Sequence, residues 1–220
     1  MKYFVFSLDD GTLWDVDIIA LFSKYGFKAT FNLNSGLQDF VWYYEDRIPI
    51  RRLRLDSVTH LYEGHEITTH TLTHPYLDQC DDGRVIYEVN QDIANLENIF
   101  HREIISFATP FTTCGDREVD LIKNNTKIKS IRLSELDESF SVPVDPYHIK
   151  VTAFDIDRAL ELFENFVGSD TAKVFVYAGH SYDFYVNNSF DRLERLLQLI
   201  SSHLDKIKVL TISEMVNELF

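Results

Sequence analysis

Gly64-His65-Glu66-Ile67-Thr68-Thr69-His70-Thr71-Leu72-Thr73-His74-Pro75 combines a β-branched run with two histidines four residues apart. On a continuous strand such residues lie about 13 Å apart, at roughly 3.3 Å per residue. Two rings at that separation cannot bind one metal ion at distances of about 2.0–2.1 Å. On a helical turn the same pair becomes adjacent. Most histidine pairs are ordinary surface or core residues, but a strand that ends near His70 and curls at once would let His70 and His74 share a metal ion.

Strands and helices alternate on both sides of this stretch. Apolar and β-branched runs predict strands at residues 2–8, 28–33, 66–70, 104–108, 128–133, 172–178 and 208–210. Helical spacing predicts helices at residues 14–25, 84–101, 117–124, 155–166, 190–203 and 213–219, the last capped by Thr211. Residues 37–61 and 136–149 have neither pattern and are predicted to be irregular. The alternation is typical of an α/β fold with a largely parallel sheet, and without repeats or linkers it indicates one domain over residues 1–220.

The net charge and the hydrophobic content of the chain limit which binding partners are expected. The chain has 220 residues, 45% of them hydrophobic, and a formal net charge of −14. Nucleic acids and anionic membranes bind clustered Lys and Arg, so neither is expected as a partner. No apolar run reaches the roughly 20 residues of a membrane span, and the first apolar run is too short for a signal peptide. The chain as given is therefore predicted to be cytoplasmic, with secretion of a longer precursor as the alternative, and Cys80 and Cys114 are expected to be free thiols.

Polar side chains follow four of the predicted strands. The carboxyl ends of parallel strands converge on one rim, where α/β folds place their sites. These ends carry Asp9-Asp10, His70 and His74, Thr109-Pro110-Phe111, and Gly179-His180-Ser181. Each of these residues taken alone could be an ordinary turn or helix-cap residue. That explanation does not account for all four groups lying on the same rim. One carboxylate with two imidazoles leaves coordination positions open, as in a catalytic metal site. A second carboxylate as base and an imidazole as acid would then suit hydrolysis of an amide or ester.

Four segments resemble motifs of the polysaccharide deacetylase family (carbohydrate esterase family four, the NodB-homology domain). Phe-Ser-Leu-Asp-Asp-Gly at residues 6–11 resembles the first motif, usually Thr-Phe-Asp-Asp-Gly, and Tyr-Gly-Phe-Lys-Ala-Thr-Phe at 25–31 resembles the segment that follows it. Residues 64–75 resemble the second motif, which has a His-Ser/Thr-x-x-His core. Tyr-Ala-Gly-His at 177–180 lies where the fifth motif ends in a histidine. The matches follow the family's order along most of the chain.

The resemblance implies a distorted (β/α) barrel of about seven mostly parallel strands. It implies a metal-dependent hydrolase that removes N-acetyl groups from a sugar, oligosaccharide or polysaccharide. By position, Asp9 would be the base and His180 the acid, Asp10, His70 and His74 would bind one divalent ion, and the backbone at Pro110 and Phe111 would stabilise the oxyanion. Zinc is the first expectation for the ion, and cobalt, nickel, iron and manganese also suit these ligands. Tyr182, which follows His180, is expected to contact substrate, with core packing as its alternative.

Two motifs depart from the family's pattern. The third motif usually begins with an Arg that touches the base, and Ala108 stands at that position. The fourth, an Asp-Trp pair that supports the acid histidine, is not recognisable, so Asp155, Asp157 and Asp183 are the candidates to orient His180.

Two other functions and several side chains stay open at this point. One alternative keeps the fold and metal but hydrolyses a non-sugar linear or cyclic amide, and the other is a carbohydrate-binding protein that has lost turnover. The aromatic residues between the second and third strands could stack on a sugar ring or pack as a loop. These are Phe40, Trp42, Tyr43 and Tyr44. His65, at the far end of its strand from His70, is expected to be structural.

Overall fold

The central strand of the sheet, β1 (Lys2–Asp9), is the first apolar run of the chain, and the computed structural model describes residues 1–220. Successive side chains of a strand point to opposite faces. Phe4, Phe6 and Leu8 face the helices and join the large core there, whereas Val5 belongs to a separate core inside the sheet. The last inward residue of the strand is Asp9, so the alternation of β1 itself directs a carboxylate to the carboxyl end of the sheet.

The other elements follow in chain order. The strands are β2 (Thr30–Leu33), β3 (Val41–Tyr44), β4 (Ile48–Arg51), β5 (Glu66–Thr69), β6 (Ser106–Ala108), β7 (Ser130–Leu136), β8 (Ile149–Val151), β9 (Val174–His180) and β10 (Ile207–Leu210). The helices are α1 (Asp15–Tyr25), α2 (Asp82–Phe100), α3 (Asp116–Asn125), α4 (Ile156–Gly168), α5 (Ser181–Val186), α6 (Phe190–Ser201) and α7 (Ile212–Leu219). None of the helices combines the length and the apolar character that crossing a membrane requires.

Seven parallel strands form a nearly closed barrel in the order β9-β1-β2-β5-β6-β7-β8. A parallel bridge between Ala153, just after β8, and Tyr177 of β9 brings the two ends together. The predicted α/β class and distorted barrel are therefore confirmed. The membership of the barrel differs from the prediction, because β10 pairs only with the first half of β1 and leaves the second half to β2.

Three strands and one short α-helix were missed by the sequence prediction. Strand β8 follows the proline-containing passage 136–149 and has only three residues, too few to show a period of two. The antiparallel hairpin β3–β4 lies within the passage 37–61 that was predicted to be irregular, and its second strand contains Pro49, which argues against a strand in the sequence. Helix α5 has six residues, fewer than two helical turns. In each case packing against longer elements, rather than local pattern, determines the structure.

The interior of the barrel is apolar on one side and polar on the other. Val5 and the inward residues of β8 and β9 pack with Ile212 and Met215 of α7, which closes the amino end. On the polar side, Asn32 donates to Ser7 Oγ at 2.8 Å and accepts from the Thr68 hydroxyl. Because these groups hydrogen-bond to one another, the buried side chains of Ser7, Asn32 and Thr68 have partners inside the barrel.

His65 is structural, as expected. It is buried at the amino end of β5, where its Nδ1 accepts a hydrogen bond from the Ala29 N–H at 3.1 Å and its ring meets Phe31 edge to face. Burial lowers the pKa of His65 to about 4, so the ring is neutral. The two cysteines, Cys80 and Cys114, are free, also as expected.

Glu66→Ala is expected to destabilise the fold by about 1–3 kcal/mol, because Glu66 joins α7 to the amino end of the barrel. Its carboxylate accepts from the Thr30 hydroxyl at 2.7 Å, from the Ser106 hydroxyl at 3.0 Å and from the Ser213 N–H at 3.2 Å. Urea unfolding measures the change. Glu63→Ala, at an exposed position on the preceding turn, should leave the midpoint unchanged, and equal midpoints for the two variants would contradict this role of Glu66.

Candidate metal centre

The His70–His74 stretch forms the tight turn that its spacing predicted. Strand β5 ends at Thr69, and both Thr71 (φ 70°) and His74 (φ 55°) have left-handed backbone conformations. The hydroxyl of Thr71 accepts a hydrogen bond from the His74 N–H at 3.0 Å, which closes the turn. The two imidazole rings consequently lie with their centroids 4.8 Å apart.

Helix α2 and Asn34 fix this turn. The buried carboxylate of Glu88 accepts from the Thr73 N–H at 2.8 Å and from its hydroxyl at 2.7 Å. One helical turn later, Asp92 accepts from the Thr69 hydroxyl at 2.6 Å. Asn34 Nδ2 donates to the Thr71 carbonyl at 2.7 Å. Left-handed backbone is unfavourable for residues with a Cβ, so these contacts hold a conformation that the turn would not keep alone.

Asp10 brings a carboxylate to the two imidazoles from the end of β1. Its Oδ1 lies 4.0 Å from His70 Nε2 and 3.8 Å from His74 Nε2. Each of the three residues offers one ligand atom, and these atoms all lie within 4.8 Å of one another. Two ligands of one zinc ion are at most about 4.2 Å apart, twice the metal–ligand distance. Both distances from Asp10 lie below this limit, and the donor set fits a divalent ion once the widest pair, at up to 4.8 Å, closes by about half an ångström or more.

The protonation states of these groups also suit a metal. His70 Nδ1 lies 2.8 Å from the Ala108 carbonyl, which can only accept, so Nδ1 carries the hydrogen and the Nε2 lone pair is free. Burial, with the neighbouring His74, holds the pKa of His70 well below its ordinary value, and burial lowers the pKa of His74 too. Burial would raise the pKa of Asp10, but the charges of Arg52 and of the neighbouring histidines together outweigh it and the pKa is lowered. Two neutral imidazoles thus face one ionised carboxylate.

Asp9 is held by Arg132, which reaches it from β7. Arg132 is fully buried and its Nη2 donates to Asp9 Oδ1, while Asn32 Nδ2 donates to the same oxygen at 2.6 Å. The sequence comparison placed Ala108 where the family has the arginine that touches the base. Here the guanidinium comes from the next strand in the barrel, and Ala108 contributes its carbonyl to His70 instead.

Asp10 has its own arginine. Arg52, which follows β4, donates from Nη2 to Asp10 Oδ1 at 2.7 Å and from Nη1 to the Asp10 carbonyl at 2.8 Å. Both side chains are buried, with only 6% and 7% of their surfaces exposed. Nothing in the passage 37–61 predicted this contact, because it depends on the missed hairpin.

His180 faces Asp10 from the opposite side, and Asp183 orients it. Asp183 Oδ2 accepts from the His180 N–H at 2.9 Å and lies 3.0 Å from His180 Nδ1, so Nε2 points toward Asp10 Oδ2, 3.9 Å away. Burial lowers the pKa of His180, but the hydrogen bond to Asp183 and the charge of Asp10 outweigh it and raise the pKa to about 9. Of the three acids considered from sequence, Asp155 instead caps α4 and Asp157 pairs with Arg192.

These residues lie in a cleft of about 670 Å³ at the carboxyl end of the barrel. Phe111 and Tyr182 line it, as do Phe40 and Trp42 of the aromatic cluster, whereas Pro110 is buried and does not line it. Phe40 and Trp42 stack at 6.3 Å on one wall, and on the other Phe111 stacks on Tyr76 at 4.1 Å and on the edge of His74 at 4.4 Å. Tyr182 stacks on His180 at 4.7 Å. The cleft thus combines charged groups at its base with aromatic walls.

Sequence reasoning could have found one of the two arginines. In the predicted strand 128–133, Ile131 and Leu133 alternate with Ser130, Arg132 and Ser134, so Arg132 shares a polar inward face. A buried arginine requires an acidic partner, but which acid it contacts depends on the register of the strands. Arg52 carries no such periodic signal.

Comparisons with known proteins agree with this geometry. The family model described as polysaccharide deacetylase matches residues 1–129. No curated protein matches significantly. Two similar solved structures, both with a TM-score of 0.66, are the CE4 domain of a multidomain xylanase from the hindgut metagenome of Trinervitermes trinervoides (15% identity, covering 99% of this chain and 90% of that one) and a family 4 acetyl xylan esterase from Clostridium thermocellum in complex with a cobalt ion (12%, 99% and 91%).

A third similar structure is a CE4 family pseudoenzyme from Bacillus anthracis, with 14% identity and a TM-score of 0.62 over 99% of this chain and 66% of that one. Identities this low show a shared fold and nothing about turnover. The family model, in contrast, covers more than half of the 220 residues and includes Asp9, Asp10, His70 and His74. The chain belongs to the polysaccharide deacetylase family.

Proposed function

We propose that this protein is a metal-dependent deacetylase whose catalytic domain, residues 1–220, hydrolyses the N-acetyl amide of a sugar or oligosaccharide. The observation that carries the proposal is that two adjacent carboxylates occupy different places: Asp10 lies among the candidate metal ligands, and Asp9 lies beside them. Asp10 Oδ1 lies within 4.0 Å of both candidate imidazole ligands, whereas Asp9 Oδ2 lies within that distance of His70 only, at 3.9 Å, and Asp9 does not belong to that triad. His180 adds a protonated imidazole across the cleft. Amide hydrolysis needs these three elements together.

Asp10, His70 and His74 would hold the ion, with zinc as the first candidate and cobalt as the second. When bound, such an ion acts as a Lewis acid on a carbonyl and makes water easier to deprotonate. A similar esterase was solved with cobalt, which supports the choice of a divalent ion. The metal–ligand role of His70 depends on Ala108, since the carbonyl of that residue fixes the imidazole tautomer.

Asp9 and His180 would move the protons. Asp9 accepts a proton from the attacking water, and its Oδ1 stays fixed by Arg132 and Asn32 while Oδ2 is free to do so. His180 donates a proton from Nε2 to the leaving amine, because Asp183 occupies Nδ1 and keeps the ring protonated. In each turnover Asp9 gains one proton from water and His180 loses one to the amine. Release of the Asp9 proton to solvent and uptake of a solvent proton by His180 then restore both groups.

Phe111 and the aromatic walls would position the substrate. Phe111 has a left-handed backbone (φ 52°) at the turn after β6, and we assign its N–H to the oxyanion of the tetrahedral state. The rings of Trp42 and Tyr182 meet edge to face at 5.6 Å across the cleft. Aromatic faces of this kind suit the C–H surfaces of a pyranose ring, and two of the similar structures are a xylanase domain and a xylan esterase.

Acetate release from N-acetylated chitooligosaccharides is the direct test. We expect turnover by the protein as purified, loss of turnover after removal of metal with a chelator, and recovery on addition of Zn²⁺ or Co²⁺. Hydrolysis that survives complete metal removal would contradict the proposal. Turnover restricted to linear or cyclic non-sugar amides would favour the second candidate substrate class. Binding of the oligosaccharides without acetate release at any metal loading would indicate a carbohydrate-binding protein.

A further inference from the structure

Each of the two catalytic-site carboxylates has its own buried arginine. Arg132 binds Asp9, and Arg52 binds Asp10. The two ion pairs balance the charge of both carboxylates. The pocket that would receive a divalent ion therefore starts without the net negative charge that a carboxylate ligand normally contributes. Arg132 does not touch the ligand set, so Arg52 is the group that removes this charge from the ligand itself.

Arg52 contacts the ligand atom that the metal would use. Asp10 Oδ1 accepts from Arg52 Nη2 at 2.7 Å, and the same oxygen lies 3.8 Å from His74 Nε2 and 4.0 Å from His70 Nε2. An ion bound among these three atoms would share one carboxylate oxygen with a guanidinium. Arginine stays charged at all relevant pH values, so it repels the ion and withdraws electron density from the shared oxygen.

The surroundings of Arg52 hold it against Asp10. Its guanidinium lies 5.3 Å from the centre of the Trp42 ring and donates to Asn34 Oδ1, but Nε is buried with no partner. The flanking backbone pairs with the loop after β1, where Leu53 N–H donates to the Gly11 carbonyl at 2.8 Å. The guanidinium therefore binds Asp10 through Nη1 and Nη2, while its Nε–H has no hydrogen-bond partner. The hairpin that carries it is attached to the loop that carries the ligand.

We propose that Arg52 is a positioning residue that holds the carboxylate of Asp10 and weakens the affinity of the centre for its divalent ion. The ion is then readily exchanged. The inference rests on the proposed function only in taking Asp10, His70 and His74 as the ligands. It requires no particular substrate and no turnover.

Competition for Zn²⁺ and Co²⁺ against a chromophoric chelator tests the proposal on the full chain. Arg52→Gln and Arg52→Met remove the charge and are expected to bind either ion at least about tenfold more tightly than the wild type. Arg52→Lys keeps the charge and should remain within about threefold of the wild type. Arg54→Gln, an exposed arginine two residues further on, is the matched control and should not change the affinity.

Equal or weaker binding by both neutral variants would overturn the proposal, as would absence of binding by wild type and variants alike. A crystal structure of the zinc-loaded wild type provides a measurement that does not depend on the variants folding. Arg52 should remain hydrogen-bonded to the Asp10 carboxylate there, and its departure from Asp10 would also overturn the proposal. Acetate release is not a readout, so a protein that binds metal as expected but hydrolyses nothing would refute the proposed function and still support this role of Arg52.

Discussion

Asp9→Asn is expected to lower kcat for deacetylation by about 10²–10⁴-fold, the range that general bases contribute, while the protein still binds its metal ion. The amide keeps the shape of the carboxylate and the contact with Asn32 but cannot accept a proton from water. The metal is retained because the candidate ligands are Asp10, His70 and His74. Acetate release at saturating metal, together with the bound metal per chain from elemental analysis, measures both parts of the expectation.

Asp10→Asn provides the contrast, because it should reduce both metal content and turnover although it alters the adjacent residue. Asp17→Asn, an exposed carboxylate on α1, should leave both unchanged. Asp9→Asn also leaves Arg132 buried without its anion, and breaking a buried ion pair typically costs about 3–5 kcal/mol. Activity is therefore compared at a temperature where circular dichroism shows every variant folded. An Asp9→Asn protein that keeps more than about a tenth of the wild-type rate would contradict the assignment of the base.

The parts of the fold that could be predicted from sequence are those with a local period. The apolar run of β1 and the amphipathic pattern of α2 are long enough for their periods to identify them. The His70–His74 turn could be predicted because four-residue spacing permits a shared ion in only one local geometry. The capping box of Thr211 and Glu214 was likewise readable, and the structure confirms it.

The parts that could not be predicted depend on contacts between distant segments. Arg52 lies 42 residues from Asp10 along the chain, and Arg132 lies 123 residues from Asp9. Neither pairing follows from spacing, because each requires the register of a strand or hairpin against the barrel. The family resemblance implied an arginine at the position of Ala108, and the structure instead brings Arg132 from another strand into contact with Asp9.

The contact of Asp183 with His180 could not be predicted either, although the two residues are close in the chain. It lies three residues after His180, on a helix of six residues that no periodicity could identify. From the sequence alone, Asp155, Asp157 and Asp183 were equal candidates to orient His180, because no local pattern shows which of them lies beside that histidine. Once α5 begins directly after His180, only Asp183 can accept from both the backbone N–H and the ring of that histidine.

Asp183→Asn is expected to move the alkaline limb of the pH–rate profile to lower pH. The acid must be protonated to donate to the leaving amine, so the rate falls about tenfold per pH unit above the pKa of His180. Burial lowers that pKa, and the Asp183 hydrogen bond and the Asp10 charge raise it to about 9. The neutral amide removes the Asp183 charge, so the pKa of His180 falls toward or below its ordinary value of about 6.5. At pH 8 the variant should therefore lose at least about tenfold in kcat, and much less at pH 6.

Wild type and variant are compared at the same metal loading, because a nearby divalent ion lowers the pKa of His180 in both. Asp155→Asn is the matched control: Asp155 lines the same groove as Asp183, and its replacement removes a charge there but keeps an amide that still caps α4. Its alkaline limb should coincide with that of the wild type. A uniform loss of rate at every pH in Asp183→Asn would mean that Asp183 only orients the ring. A displaced limb means that its charge keeps His180 protonated, which no purely structural role of Asp183 would produce.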